Sequence, residues 1–224
     1  MTPSLPPQLP PYLRARVMAA AQAEPAPTIP AWRTRVAVVA LLGAAVSVGL
    51  SAQLGLRARP AATYAVLTVG GALAGLVATY FAAFRGRSMV GRARETLAAV
   101  TWTAPLSVLL FASFGRLAQE GGEVPWLGGT TKQHVVCFVC TLLFALGPLV
   151  ALGYARFRSD PVHPRALGAA LGAAAGVWGG ALIDIHCSLV TLEHLAIGHA
   201  APIAALALLG ALVGSRTFGI RARN

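Results

Sequence analysis

Residues 166–187 read ALGAALGAAAGVWGGALIDIHC. The run carries no charge before Asp184 and is long enough to cross the ~30 Å hydrocarbon core of a bilayer, which takes about 20 residues of helix. A helix in water needs a polar face, and this stretch has none. Gly168, Gly172 and Gly176 recur at every fourth residue. On a helix that spacing makes one face of small residues, which lets a neighbouring backbone approach closely in lipid. The run closes on Asp184, His186 and Cys187, three groups able to bind a metal or a proton.

Working outward, five further apolar runs of similar length lie at about 36–56, 64–84, 97–115, 134–154 and 200–218. Backbone groups in hydrocarbon must be paired internally, so continuous runs of this length are helices. The expected fold is all-α: a polytopic membrane protein of six transmembrane helices. Residues 1–34 form a cytoplasmic N-terminal segment and 35–224 the bundle. The composition agrees, with 56% hydrophobic and 11% charged residues and a mean hydropathy of +0.68. Pro105, Pro148 and Pro202 fall within spans and are expected to kink them. The first 35 residues have no early apolar core of a signal peptide, so the first span is expected to be an uncleaved anchor.

The net charge of +11 is not a nucleic-acid signature, because the arginines flank apolar spans and no basic, aromatic-bearing polar domain exists. They report orientation instead. With six spans, fourteen Lys and Arg fall on one side, among them Arg33, Arg35, Arg85, Arg87, Arg156 and Arg216. Only Arg57, Arg59, Arg116 and Lys132 fall on the other. Both termini are therefore expected in the cytoplasm, with the loop near 188–199 outside. The expected location is a bacterial inner membrane, with lipid as one partner and no direct contact with nucleic acid.

The first 30 residues hold eight of the 15 prolines. Between Pro11 and Pro25 lies a proline-free stretch with room for about three helical turns, framed by prolines suited to its start and end. Leu9, Leu13 and Val17, with Met18 and Ala21 adjoining, form a narrow apolar stripe on it. Such a stripe fits a groove on a partner protein or rests on the inner leaflet.

The remaining polar chemistry is concentrated. His134, Cys137 and Cys140 are spaced three apart at the start of span four, on one helical face. Asp184, His186 and Cys187 end span five, and Glu193, His194 and His199 follow in what reads as a short loop. Thiolate and imidazole are ligands for zinc, copper and similar ions, although the cofactor itself stays unknown. Cys137 and Cys140 with His186 and Cys187 from the neighbouring helix would make a four-ligand set. The same groups suit thiol chemistry on the oxidising side of a membrane. Asp184 is expected to orient His186 or a nearby helix. His134, His194 and His199 suit helix-end or solvated positions as well as ligation, and Glu193 is expected to be solvated. No phosphate-cradling loop, nucleophile elbow or HExxH occurs, so no catalytic residue is assigned.

The second half resembles a known family. It has Cys137-x-x-Cys140, then Pro148, a basic loop from Arg156 to Arg165, the glycine-rich span, Ile185-His186-Cys187, and a short loop with Glu193 and His194. This order resembles the NrsF-type membrane anti-sigma factors, negative regulators of sigma factor F. The leader LPPYLRARVMAAAQAEPAPT (residues 9–28) is similar to myxobacterial, CarR-like six-span members. The resemblance implies a non-enzymatic regulator that holds an extracytoplasmic-function (ECF) sigma factor on the cytoplasmic side and releases it on an envelope metal, redox or other stress signal. It implies one functional cysteine at the end of span five, Cys187, and one in span four, where Cys137 and Cys140 both qualify. Family members often carry an aromatic pair in the last outer loop, where this chain has Ile197, Gly198 and His199. Two other readings fit the residues less well: a quinone-linked membrane thiol oxidoreductase using Cys137 and Cys140, and a metal or small-solute permease.

Overall fold

The structure is a computed structural model, which describes residues 12, 29–54, 61–84, 93–120, 127–157, 162–189 and 191–218. The partner-binding stripe expected at Leu9, Leu13, Val17, Met18 and Ala21 lies outside the described residues. The chain divides into two units, Met1–Arg35 and Val36–Asn224, and the bundle belongs to the second.

Every element among the described residues is helical. In order they are α1 (Ile29–Ala52), α2 (Ala61–Thr79) running into a π-helical turn (Tyr80–Phe84), α3 (Arg94–Glu120), α4 (Thr131–Ala155), α5 (Pro164–His186), the short α6 (Leu192–Leu195), a second π-helical turn (Ala196–Ala200) and α7 (Ala201–Thr217). Among the described residues, five stretches are long and apolar enough to cross a membrane: Ala62–Phe84, Arg94–Phe114, Thr131–Ala155, Pro164–His186 and Leu192–Thr217. The first of the six expected spans coincides instead with a shorter apolar helix, Ala37–Ala52.

α5 is the centre of the bundle. Nearly every residue from Leu167 to Cys187 is buried, against α2, α3, α4 and α7. The four-residue glycine spacing produces this arrangement. A Cβ on Gly168 would collide with the Gly210 carbonyl of α7, one on Gly172 with the Leu206 carbonyl, and one on Gly179 with the Thr141 carbonyl of α4. Backbones this close leave no room for side chains, which is why the ridge is glycine. Leu67, Leu97, Leu171, Val177 and Ile203 fill the remaining core. Leu41, Val69, Trp102, Leu106, Val150 and Leu212 are exposed, as lipid-facing side chains would be.

Two internal prolines explain two tertiary hydrogen bonds. A proline strips the carbonyl four residues earlier of its helical partner. Pro148 frees the Phe144 carbonyl, and Ser47 of α1 donates to it at 2.8 Å. Pro202 frees the Gly198 carbonyl, and Thr141 Oγ1 of α4 shares its one proton between that carbonyl, at 3.1 Å, and the Cys137 carbonyl, at 2.9 Å. Hydroxyls of neighbouring helices thus replace bonds that lipid has no means to supply.

The outer loop expected at about 188–199 is largely helix. Thr191 caps α6, accepting the His194 N–H at 3.4 Å, and the π-helical turn carries the chain into α7. A capping threonine followed by LEHLAI, with no proline before Pro202, lets a helix start at once. His194 and His199 therefore sit on a helix, inside the bundle.

Candidate functional site

Three chain segments converge at the end of the bundle where α4 starts and α5 stops. The start of α4 is fixed by a capping box on Thr130: the Gln133 side chain accepts the Thr130 N–H at 2.7 Å, and Thr130 Oγ1 accepts the Gln133 N–H at 3.3 Å. This sets the turns that carry His134 and Cys137. α5 stops at His186, and the Cys187 N–H closes the last helical bond on the Ile183 carbonyl at 2.8 Å. α6 and the following π-helical turn then deliver His194 and His199.

The thiols of Cys137 and Cys187 are not joined by a disulfide and lie 3.8 Å apart. Cys187 Sγ is 3.1 Å from His194 Nε2. His199 Nδ1 is 2.7 Å from Asp184 Oδ1. One ligand atom from each of Cys137, Cys187, His194 and His199 falls within 4.8 Å of the others. A tetrahedral ion with bonds of about 2.0–2.3 Å holds its ligands roughly 3.3–3.8 Å apart, so the quartet is within about 1 Å of such a shell.

The chemistry of the quartet fits a soft or borderline cation. His194 and His199 are completely buried, and each keeps a ring nitrogen, Nδ1 of His194 and Nε2 of His199, without a hydrogen-bond partner among the described residues. A buried polar atom left so costs about 1–3 kcal/mol, and coordination at His199 Nε2 would relieve it. The Asp184 carboxylate on the far nitrogen of that ring is the arrangement that orients metal-bound histidines and raises their basicity. The same geometry also places two thiols for joint oxidation.

The expected residues divide into three groups. Cys137, Cys187, His194 and His199 come together, with Asp184 behind His199. His134 is buried beside them, its ring 5.0 Å from that of His194 and its Nε2 donating to the Gly128 carbonyl at 3.3 Å. Two members of the expected four-ligand set stand apart. His186 is engaged with α1, its Nε2 2.7 Å from Ser51 Oγ. Cys140, half-buried, lines a cleft of about 470 Å³ together with Cys137, Cys187, His186 and Lys132. The correction has a simple cause: α4 advances one turn between Cys137 and Cys140, whereas the helical α6 segment folds two histidines back over Cys187. Of the two roles expected for Asp184, it takes the one toward a neighbouring helix, meeting His199 rather than His186. Glu193, expected to be solvated, is half-buried and accepts the Gly128 N–H at 3.2 Å.

Several supporting residues carry no chemical signature of their own. Gly128 and Gly129 have φ of +153° and +98°, conformations that favour glycine. A Cβ on Gly129 would lie 2.9 Å from His134 Nε2, and one on Gly128 2.7 Å from Thr191 Cγ2. The Gly128 carbonyl accepts from both His134 and, at 2.9 Å, Thr191 Oγ1, tying the loop before α4 to the turn before α6. The Gly-Gly pair and the Thr-x-x-Gln and Thr-x-x-His cap patterns are the signals that mark these positions.

Comparison with curated proteins returns no match, and neither does comparison with solved structures. A family model does match: the family described as negative regulator of sigma F (NrsF) aligns with residues 19–219, a stretch that holds every helix from α1 to α7 and the whole quartet, and the chain belongs to that family.

Proposed function

We propose that the protein is a six-span, membrane-embedded anti-sigma factor whose Cys137/Cys187/His194/His199 quartet is its input. Family membership makes it a negative regulator of a sigma factor; the finer reading concerns how. Its cytoplasmic N-terminal segment, through Leu9, Leu13, Val17, Met18 and Ala21, holds an ECF-type sigma factor at the inner membrane. A metal ion such as zinc or copper, or an oxidant, acts on the quartet and the sigma factor is released. The Lys and Arg distribution supports both termini inside and the quartet on the outer side. α1, 24 residues from Ile29 to Ala52, completes the sixth crossing.

The observation that carries the reading is the quartet itself: two thiols not joined by a disulfide and two buried imidazoles, gathered by three segments within the family-matched region. Metal binding or thiol oxidation changes how α4, α5 and the α6–α7 arm meet, which is the change an input must make.

The partner side is tested by co-purifying the full-length protein with its sigma factor. Leu13→Asp combined with Val17→Asp is expected to abolish co-purification while the protein still reaches the membrane at normal levels. Undiminished sigma binding by that variant would refute the assignment of the N-terminal stripe.

A further inference from the structure

α1 is attached to the bundle differently from the other long helices. Its buried described residues are two serines, Ser47 and Ser51, and its large apolar side chains face outward. Gly43, Ser47 and Ser51 are spaced four apart on one face. Gly43 meets Gly147 of α4 so closely that a Cβ on either would strike the other's carbonyl. Ser47 donates to the Phe144 carbonyl that Pro148 frees. Ser51 lies 2.7 Å from His186 Nε2, and His186 is bonded in sequence to Cys187 of the quartet. An apolar helix has little hydrophobic reason to stay beside other helices in lipid, so packing and polar contacts hold it.

We infer that Ser51 and His186 form the link through which the quartet acts on α1, the helix continuous with the N-terminal segment; this rests on the quartet being the input. The Gly43–Gly147 and Ser47–Phe144 contacts fix a pivot on α4. The Ser51–His186 contact holds the far end of α1 to the last turn of α5. Drawing Cys187 onto Cys137, from 3.8 Å to the ~2.05 Å of a disulfide, moves it by more than 1 Å. A similar shift of the adjoining His186 takes a 2.7 Å contact past hydrogen-bonding distance. α1 then turns about its pivot, and the segment ahead of it loses its sigma-binding position. Ser51 and His186 are positioning residues, acting on the partner only through α1.

The test uses the full-length protein in cells carrying a reporter driven by the partner sigma factor, in a Cys140→Ser background. Diamide is the probe: it takes two hydrogen atoms from the Cys137 and Cys187 thiols, becoming a hydrazine as the S–S bond forms. Ser51→Ala and His186→Leu are each expected to raise unstimulated reporter activity about fivefold, the population shift that one interhelical hydrogen bond sets. Their response to diamide shrinks accordingly. The double variant is expected to go no further than either single one, as coupled residues require, and Ser51→Thr, which keeps the hydroxyl, restores wild-type behaviour. Zinc uptake by the purified variants, one ion per chain as in the parent, separates a broken link from a broken quartet. If both single variants repress and respond within twofold of the parent while Cys187→Ser no longer responds to diamide, the link is refuted and the input reading stands. If Cys187→Ser still responds, the input reading falls and the link with it.

Discussion

At the scale of single residues, Cys187 does the most. It ends α5, faces Cys137 across 3.8 Å and touches His194 at 3.1 Å, so three segments meet on one sulfur. Cys137 and Cys140 are equivalent in the sequence, three residues apart on one helix face, and only the position of Cys187 distinguishes them. Equilibrium dialysis of the purified protein against zinc is expected to give one tightly bound ion, lost in Cys187→Ser and Cys137→Ser and kept in Cys140→Ser. Asp184→Asn is expected to retain binding with roughly 10–100-fold lower affinity, the usual effect of removing the group that orients a ligating histidine. The sequence marked every member of this cluster as chemically interesting, because Cys, His and Asp are scarce in so apolar a chain. It did not reveal which four converge, since ligand sets are made by distances across helices and spacing within a helix is blind to them.

At the scale of elements, the glycine ridge of α5 is the part most legible beforehand. A four-residue repeat of glycine in an apolar run has few physical uses, and close backbone contact with α7 is the use observed. Gly168→Leu is expected to separate α5 from α7 and to lower the amount of folded protein in the membrane severalfold, read by detergent-resistant thermal unfolding; Gly153→Leu, where no atom lies within 4 Å of a new Cβ, serves as the control with little change. The α6 segment was least legible. Its histidines suggested a polar outer loop, yet Thr191 as a cap and the apolar residues Leu192, Leu195 and Ile197 build a helix that carries His194 and His199 inward. Capping outweighs polarity here, because a histidine that has Asp184 or a cysteine for a partner no longer needs water.

For the whole molecule, the proposed reading makes the quartet the input and the N-terminal segment the output. The quartet lies where α4 starts and α5 stops, and the family match extends from residue 19 to 219. The charge asymmetry predicts a topology. Reporter fusions after residue 160 and at the C-terminus are expected to be active only for a cytoplasmic reporter, whereas a fusion near residue 189 is active only for an external one; the opposite pattern would place the quartet on the wrong side for an envelope signal. The sequence by itself determined the helical membrane class, the position of the five long apolar helices found among the described residues and the family, because hydrophobic length, small-residue spacing and charge asymmetry are properties of the chain read locally. Only the tertiary structure decided that Cys137 and not Cys140 joins Cys187, that His194 and His199 replace His186 in the cluster, and that His186 reaches Ser51 of α1. Those outcomes depend on how far α5 runs before it stops and on where the next helix folds back, and such distances are set by the packing of backbones against one another across the bundle.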